Sequence, residues 1–296
     1  MQGTMADGSP FSLDRRDGTF RWRQWSGHLV SSASLALTVG VVGILLFFLG
    51  FLLDKGGSQI SLAFFTQVPA AVGEPGGGMK NSLLGTLTLV GLASALGMPL
   101  GVGSGIFLAE FGGTSRLAAV TRFLIETLIG VPSIVIGIFS YVLIVLPMHH
   151  FSAVAGGFAL GIIMIPILAR TTEDVLRMVP VDIREAGLAL GLPYWRVIVF
   201  LVLPVAARGI ATGAILAVGR VAGETAPLIL TALGSEYMQT SLTEPIDELT
   251  LRILKYSRGP YVPWHEQAFA AAFVLVAGVA IGSLALRLAT RGRVRL

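Results

Sequence analysis

The sequence contains no cysteine, which excludes disulfides and thiolate metal sites. Only four histidines occur among its 296 residues, and with no cysteine beside them a transition-metal site has little to draw on. His149 and His150, just after Pro147, read as turn residues rather than as a metal site or proton sensor. Catalytic signatures are missing too: there is no HExxH helix and no GxSxG elbow. Gly76-Gly77-Gly78-Met79-Lys80 is glycine-rich, but Met79 separates glycine from lysine and breaks the phosphate-loop pattern. No basic stretch is interleaved with aromatics as a nucleic-acid surface would be. Charge itself is scarce, at 13% of residues, where soluble domains average about 25%.

Apolar residues fill the space that charge leaves. The chain is 54% hydrophobic with a mean hydropathy of +0.79. Six apolar segments approach the roughly 20 residues that a spanning helix needs, near 29–53, 82–109, 119–147, 151–170, 209–233 and 267–288. The expected fold class is therefore all-α, a polytopic membrane protein with six transmembrane helices. Pro132 should kink or open the third. With the N-terminus inside, basic residues outnumber those outside by three to one, which places both termini in the cytoplasm. The polar, arginine-bearing residues 1–28 read as a disordered cytoplasmic tail. The first apolar run is too long for a cleavable signal. Residues 54–81 become an outer loop, and 289–296 a basic inner tail.

Two charges interrupt the fifth span. Arg220 and Glu224 stand four apart, on one helix face and within pairing distance. A charge at membrane depth costs about 2.5–3.5 kcal/mol on insertion scales, so such groups generally face a bundle interior or a water-filled path. An arginine fork suits an anion, because it can hold phosphate or carboxylate through two hydrogen bonds. Glu224 would neutralise the arginine while the path is empty. The competing reading is a salt bridge that only holds the bundle together. Thr225 adds a hydroxyl to this candidate pathway, Pro227 can free carbonyls one turn upstream, and Pro132 with Ser133 can line the same path.

The connection from Arg170 to Arg208 is longer than a simple tether requires. Pro180-Val181-Asp182 opens a helix, with Asp182 as N-cap and Glu185 three residues on. Gly191 ends that helix, Pro193 suits the start of a second, and Pro204 precedes the fifth span. Two short helices with a glycine hinge at the cytoplasmic surface have the form of a docking element.

Glu185-Ala186-Gly187, Gly191 and Leu201-Val202-Leu203-Pro204 resemble the EAA loop of ABC-importer permeases, which reads EAA, three residues, Gly, nine residues, then I-x-L-P. Gly187 stands where that family has its second alanine, and Leu201 where it has isoleucine. Glu126-Thr127-Leu128-Ile129-Gly130-Val131-Pro132-Ser133, Arg170-Thr171-Thr172-Glu173 and Gly223-Glu224-Thr225-Ala226-Pro227-Leu228, with Trp264 ahead of the last span, are similar to phosphate-specific permeases of the PstA type. The likeness covers about residues 80–290. It implies a type I (MetI-like) importer fold over 82–288 in a bacterial inner membrane, with residues 171–208 as the coupling loop. Asp182, Glu185, Ala186, Gly187, Gly191, Pro193, Leu201 and Pro204 would then meet an ATPase. It also implies a sister permease (PstC type), two ATPase subunits (PstB type) that hold ATP and Mg, and a periplasmic or lipid-anchored phosphate-binding protein (PstS type). This chain itself would bind no cofactor and hydrolyse no ATP. Its surroundings would be membrane lipid, with no nucleic acid. Rival readings are a permease for sulfate or molybdate, the PstC-type sister, a secondary anion transporter and an intramembrane enzyme. The last finds no nucleophile–base set here.

Lesser features complete the reading. Gly97, Gly101 and Gly105, and again Gly219 and Gly223, allow close helix packing. Asn81, Ser82, Thr86 and Thr88 read as helix–helix hydrogen-bonding groups or as cavity contacts. Glu173 and Asp174 read as a solvated cluster with Arg170 and Arg177, with gating or ATPase contact as the alternative. Residues 242–256 suggest an amphipathic helix that docks a binding protein or lies on the membrane.

Overall fold

The computed structural model describes residues 18–71, 74 and 76–291. Residues 1–17 and 292–296 of the expected tails lie outside the described residues, while 18–28 and 289–291 are helical. Helix α1 (Gly18–Gly56) carries the first apolar run. The chain divides at Phe51 into two units. The first is, in its described part, one helix with exposed leucines and phenylalanines along its length, as expected of a segment solvated by lipid rather than by protein.

The second unit is the bundle. Its elements are α2 (Leu62–Thr66), α3 (Lys80–Ile106), α4 (Arg116–Gly130), α5 (Ser133–Ser140), α6 (Leu146–Met148), α7 (Ala153–Arg177), α8 (Val181–Ala189), α9 (Tyr194–Val197), α10 (Leu203–Ala222), α11 (Ala226–Ile229), α12 (Leu249–Ser257) and α13 (Val262–Arg291). Among the described residues five helices are long and apolar enough to span, or six if α4 and the segment Ser133–Met148 count as one. That pair bends by 107°, far beyond a kink. Pro132 lacks an N–H and forces Val131 out of the helical region, to φ −72°, ψ 128°.

Helices α3 and α7 form the heart of the bundle. A methyl at Gly97, Gly101 or Gly105 would come within 2.8, 2.6 and 2.5 Å of Met164, Leu168 and Thr172. In return, Leu92 and Leu96 of α3 fill the places left by Gly157 and Gly161 of α7. The contacts advance together along both chains, so the helices run parallel, separated only by what glycine permits. Leu89, Ala93, Leu160, Met164 and Leu168 make the core here, joined by Ala217 and Val221 of α10 and Leu228 beyond it. A methyl on Gly219 would lie 3.2 Å from Val279 Cγ1 of α13. Gly223 meets nothing, and its place is helix termination rather than packing.

Three expected boundaries move. The fourth span continues to Arg177, so Arg170-Thr171-Thr172-Glu173 is helix and not loop. The fifth span starts at Tyr194 and ends at Ala222, not at 209 and 233. Pro204 does not interrupt it because a π-helical turn at Ile198–Val202 takes up the extra length that a helix-interior proline demands. The connection between the fourth and fifth spans thereby shrinks to residues 178–193, and its second helix is the foot of the span. The last span runs over Val262–Leu288 within α13.

Candidate functional site

Arg220 lies in the last turn of α10, and Glu224 just beyond the helix end. The pair is therefore near the far end of its span and not at mid-depth. It forms nevertheless: Arg220 Nη1 donates to Glu224 Oε2 at 2.5 Å. The two partners differ in environment. The Arg220 side chain is 57% exposed on this chain, and that of Glu224 only 8%. A cation at a helix C-terminus also faces unsatisfied carbonyls, which favours its charge. The glutamate anchors one nitrogen and leaves the rest of the fork open.

The break after Ala222 turns the chain back into the bundle. Thr225 is the N-cap of α11 without a side-chain capping bond, and its carbonyl accepts from Leu228 N at 3.1 Å. Pro227 sits in the first turn of α11, where a missing N–H costs nothing, so it opens a helix and does not loosen one. A methyl on Gly137 of α5 would fall 2.7 Å from Pro227 Cα. The helix after Pro132–Ser133 and the helix after Glu224–Thr225 are thus in direct contact. Ser133 is half-buried and Pro132 exposed. Two segments nominated separately from the sequence meet at one crossing.

Behind Glu224 is a polar network with little trace in the sequence. Arg252, 1% exposed, donates through Nε (2.8 Å) and Nη2 (2.7 Å) to Asp247 Oδ2, and through Nη2 to Ser235 O at 3.0 Å. Ser82 Oγ donates to the same Asp247 oxygen, Asn81 Nδ2 to Ser235 O at 2.8 Å, and Leu249 N to Thr86 Oγ1 at 3.1 Å. Asn81, Ser82 and Thr86, all of α3, therefore fasten the segment Ser235–Leu249 to that helix. Thr88 bonds its own helix, donating to Leu84 O at 2.8 Å. Thr250 Oγ1 bridges the Glu248 carboxylate and Glu224 O, the latter at 3.4 Å. Burial pushes the Glu248 carboxyl up to about 8, against the hydrogen bonds from Thr250 and neighbouring N–H groups that favour its charge. Burial raises Asp247 too, with Arg252 opposing. The helix expected over 242–256 is only Leu249–Ser257, and it buries Arg252 along with Leu249 and Tyr256. It is a packed element, not a surface float. The available clue was Asp247 and Arg252, five apart beside an apolar run.

The elbow between the fourth and fifth spans keeps its predicted punctuation with one change. Pro180, not Asp182, is the N-cap of α8, because its ψ of 140° already turns the chain into the helix and its carbonyl accepts from Ile183 N at 3.3 Å. Asp182 falls in the first turn, still favoured by the helix dipole. Gly191 holds φ +77° and donates to Leu188 O at 2.9 Å, the left-handed stop expected of it. Pro193 caps α9, its carbonyl accepting from Arg196 N at 2.9 Å. Asp182, Glu185, Ala186 and Pro204 are exposed, as are the apolar Met178, Val181, Leu188 and Leu190. Gly187 is buried, and a methyl there would stand 2.7 Å from Leu201 Cδ1. The two departures from the EAA pattern touch each other: the longer leucine branch occupies the place of the missing alanine methyl.

Glu173 is not a solvated charge. At 2% exposure it accepts from Arg122 Nη2 at 2.9 Å and Arg177 Nη2 at 2.6 Å. Asp174 is exposed and pairs with Arg170 at 3.3 Å. His149 closes α6 in the left-handed region, at φ +60°.

A family model described as binding-protein-dependent transport system inner membrane component matches residues 101–294. The phosphate transport system permease protein PstA of Yersinia pestis is 40% identical over 254 residues, 86% of each chain. That of Haemophilus influenzae is 41% identical over 256 residues, 86% of this chain and 90% of its own. Among solved structures, the MetNI methionine ABC transporter in an inward-facing conformation aligns with TM-score 0.57 at 18% identity, covering 73% of this chain and 94% of that one. An amino acid ABC transporter aligns with TM-score 0.56 at 20% identity over 72% and 92%. These two likenesses establish the fold, that of a type I ABC-importer permease.

Proposed function

The chain belongs to the binding-protein-dependent transport system inner membrane components, and from that premise we propose that it is the PstA-type permease of an ATP-driven importer of inorganic phosphate. Membership makes it a multi-pass inner-membrane permease and not an enzyme, working with an ATPase and a binding protein. The observation that carries the phosphate reading is 40% identity along 86% of a phosphate transport permease. The relatives reported above are PstA permeases, which favours phosphate over sulfate or molybdate and the PstA type over the PstC-type sister.

In this reading a PstC-type sister completes the pore, two PstB-type ATPases engage the elbow from the cytoplasm, and a PstS-type protein delivers phosphate from outside. ATP and Mg act at the ATPase. Both termini are cytoplasmic in this reading, which the arginine bias supports. The exposed Arg220 fork faces the half of the pathway that this chain lacks. Phosphate competes with Glu224 for it, and the buried carboxylate keeps the arginine aimed and neutralised between substrates. Thr225, Pro132 and Ser133 border the same corner. On the inner side Asp182, Glu185 and Ala186, with Val181 and Leu188, form the face offered to the ATPase. Gly187, Gly191, Pro193, Leu201 and Pro204 shape it.

Uptake in cells lacking their own high-affinity system tests the proposal, with the chain co-expressed with its candidate partners and membrane levels checked. Arg220→Gln keeps length and polarity but removes charge. Loss of one charge-assisted interaction of about 1.5–3 kcal/mol lowers uptake about 10- to 100-fold with normal assembly. Unchanged uptake reduces the pair to a structural salt bridge. An assembled complex that moves sulfate or molybdate and ignores phosphate overturns the substrate.

A further inference from the structure

Three helices that cross the bundle end at one buried carboxylate. Glu110 lies in the π-helical turn Phe107–Phe111 that closes α3, with its side chain 1% exposed. It accepts from Arg184 Nε at 3.0 Å and Nη2 at 2.5 Å, and from Tyr194 Oη at 3.0 Å. Arg184 belongs to α8. It also donates through Nη2 to Leu176 O at 3.0 Å and through Nη1 to Val179 O at 2.9 Å, satisfying carbonyls where α7 ends. Tyr194 is the first residue of the rod that becomes α10, and its ring meets Phe111 edge-on at 5.7 Å. One guanidinium therefore ties α8 to both α3 and α7, and one phenol ties α10 to the same point.

The remaining attachment of α8 is of a different kind. Ile183 of α8, and Leu192 just beyond it, pack into an apolar cluster with Val197, Ile198 and Val202. Apolar contact is non-directional and permits sliding, whereas a buried carboxylate with three aimed donors has one arrangement. Beyond the joint, α3 and α7 interlock too closely to shear.

We propose that Glu110, with Arg184 and Tyr194, is the joint that carries movement of α8 into α3, α7 and α10. These are positioning residues, acting on transport through the helices they connect. The inference rests on the reading of α8 as the ATPase contact.

The test uses the full complex in proteoliposomes with its binding protein, measuring ATP hydrolysis and phosphate uptake in the same vesicles and subunit co-purification beside them. Tyr194→Phe deletes one hydrogen bond, Glu110→Gln the charge, and Arg184→Lys the fork. The expected result is assembly and ATPase activity retained while phosphate moved per ATP falls at least threefold. If Glu110→Gln fails to assemble, Tyr194→Phe and Arg184→Lys decide. An unchanged phosphate-to-ATP ratio in the assembled variants overturns the joint, as does a parallel fall of both activities that tracks assembly. If the unsubstituted complex does not bind the ATPase or moves no phosphate, the failure lies in the functional reading, and the joint falls with it.

Discussion

Gly187→Ala restores the family's own residue and should nevertheless destabilise this protein. The new methyl stands 2.7 Å from Leu201 Cδ1 and 2.9 and 3.2 Å from the two Val197 methyls. Carbon atoms settle at about 3.5–4.0 Å, so the leucine must retreat by roughly 1 Å within a packed cluster. Overpacking of this kind costs about 1–3 kcal/mol, and the low end applies because the nearest atom is the tip of a flexible side chain. Leu201→Ile alone is a volume-conserving change costing under about 1.5 kcal/mol. Combined, the two should cost less than their sum by at least about 0.5 kcal/mol, the coupling expected of residues in contact. Thermal unfolding of the purified permease reads this, at roughly 2–4 °C per kcal/mol for a chain of this size. The double variant should melt above the temperature that the sum of the two single shifts predicts. Strict additivity of the two shifts would refute the claim that these departures compensate.

Gly105→Leu should prevent the close approach of α3 and α7, since even its Cβ would lie 2.5 Å from Thr172 Cβ and 2.6 Å from Ala169 O. Folded yield in membranes should collapse, and wild-type yield would show that the helices have room. Stability should also depend on pH through Glu248. Its folded value of about 8 exceeds the unfolded one, so the folded state holds a proton that the unfolded state gives up. Stability is then greatest below about 4.5 and falls as pH rises to about 8, with a slope of at most ~1.4 kcal/mol per unit from this group. Asp247, raised as well, adds the same sign. Glu248→Gln should flatten the fall between pH 5 and 8, and an unaltered slope in denaturation curves would show that Glu248 is ionised throughout.

The order of the spans, the arginine bias and the EAA elbow were written in local sequence, because hydrophobic run length, charge placement and glycine or proline at a helix end act over a few residues. The left-handed stop at Gly191 and the glycine face of α3 needed no tertiary knowledge. Other features were not local. Pro132 signalled a disturbance, but only packing of α5 on α11 turned it into a right-angle break. The start of the fifth span was hidden by Pro204, whose effect depends on whether a π turn absorbs it. Arg220 announced a charged site, yet its position at a helix end followed from where that span begins. Glu173 read as a solvated charge and Glu110 and Arg252 drew no reading, because burial of a charge is decided by partners far along the chain: Arg184 for Glu110, Arg122 for Glu173, and Ser82 for the Asp247 that holds Arg252. Sequence alone determined which segments enter the membrane and where the chain turns, since both are set by the solvent preference of neighbouring residues. Tertiary structure decided which charges are buried and what they join, since that free energy exists only once distant partners have been brought within hydrogen-bonding distance.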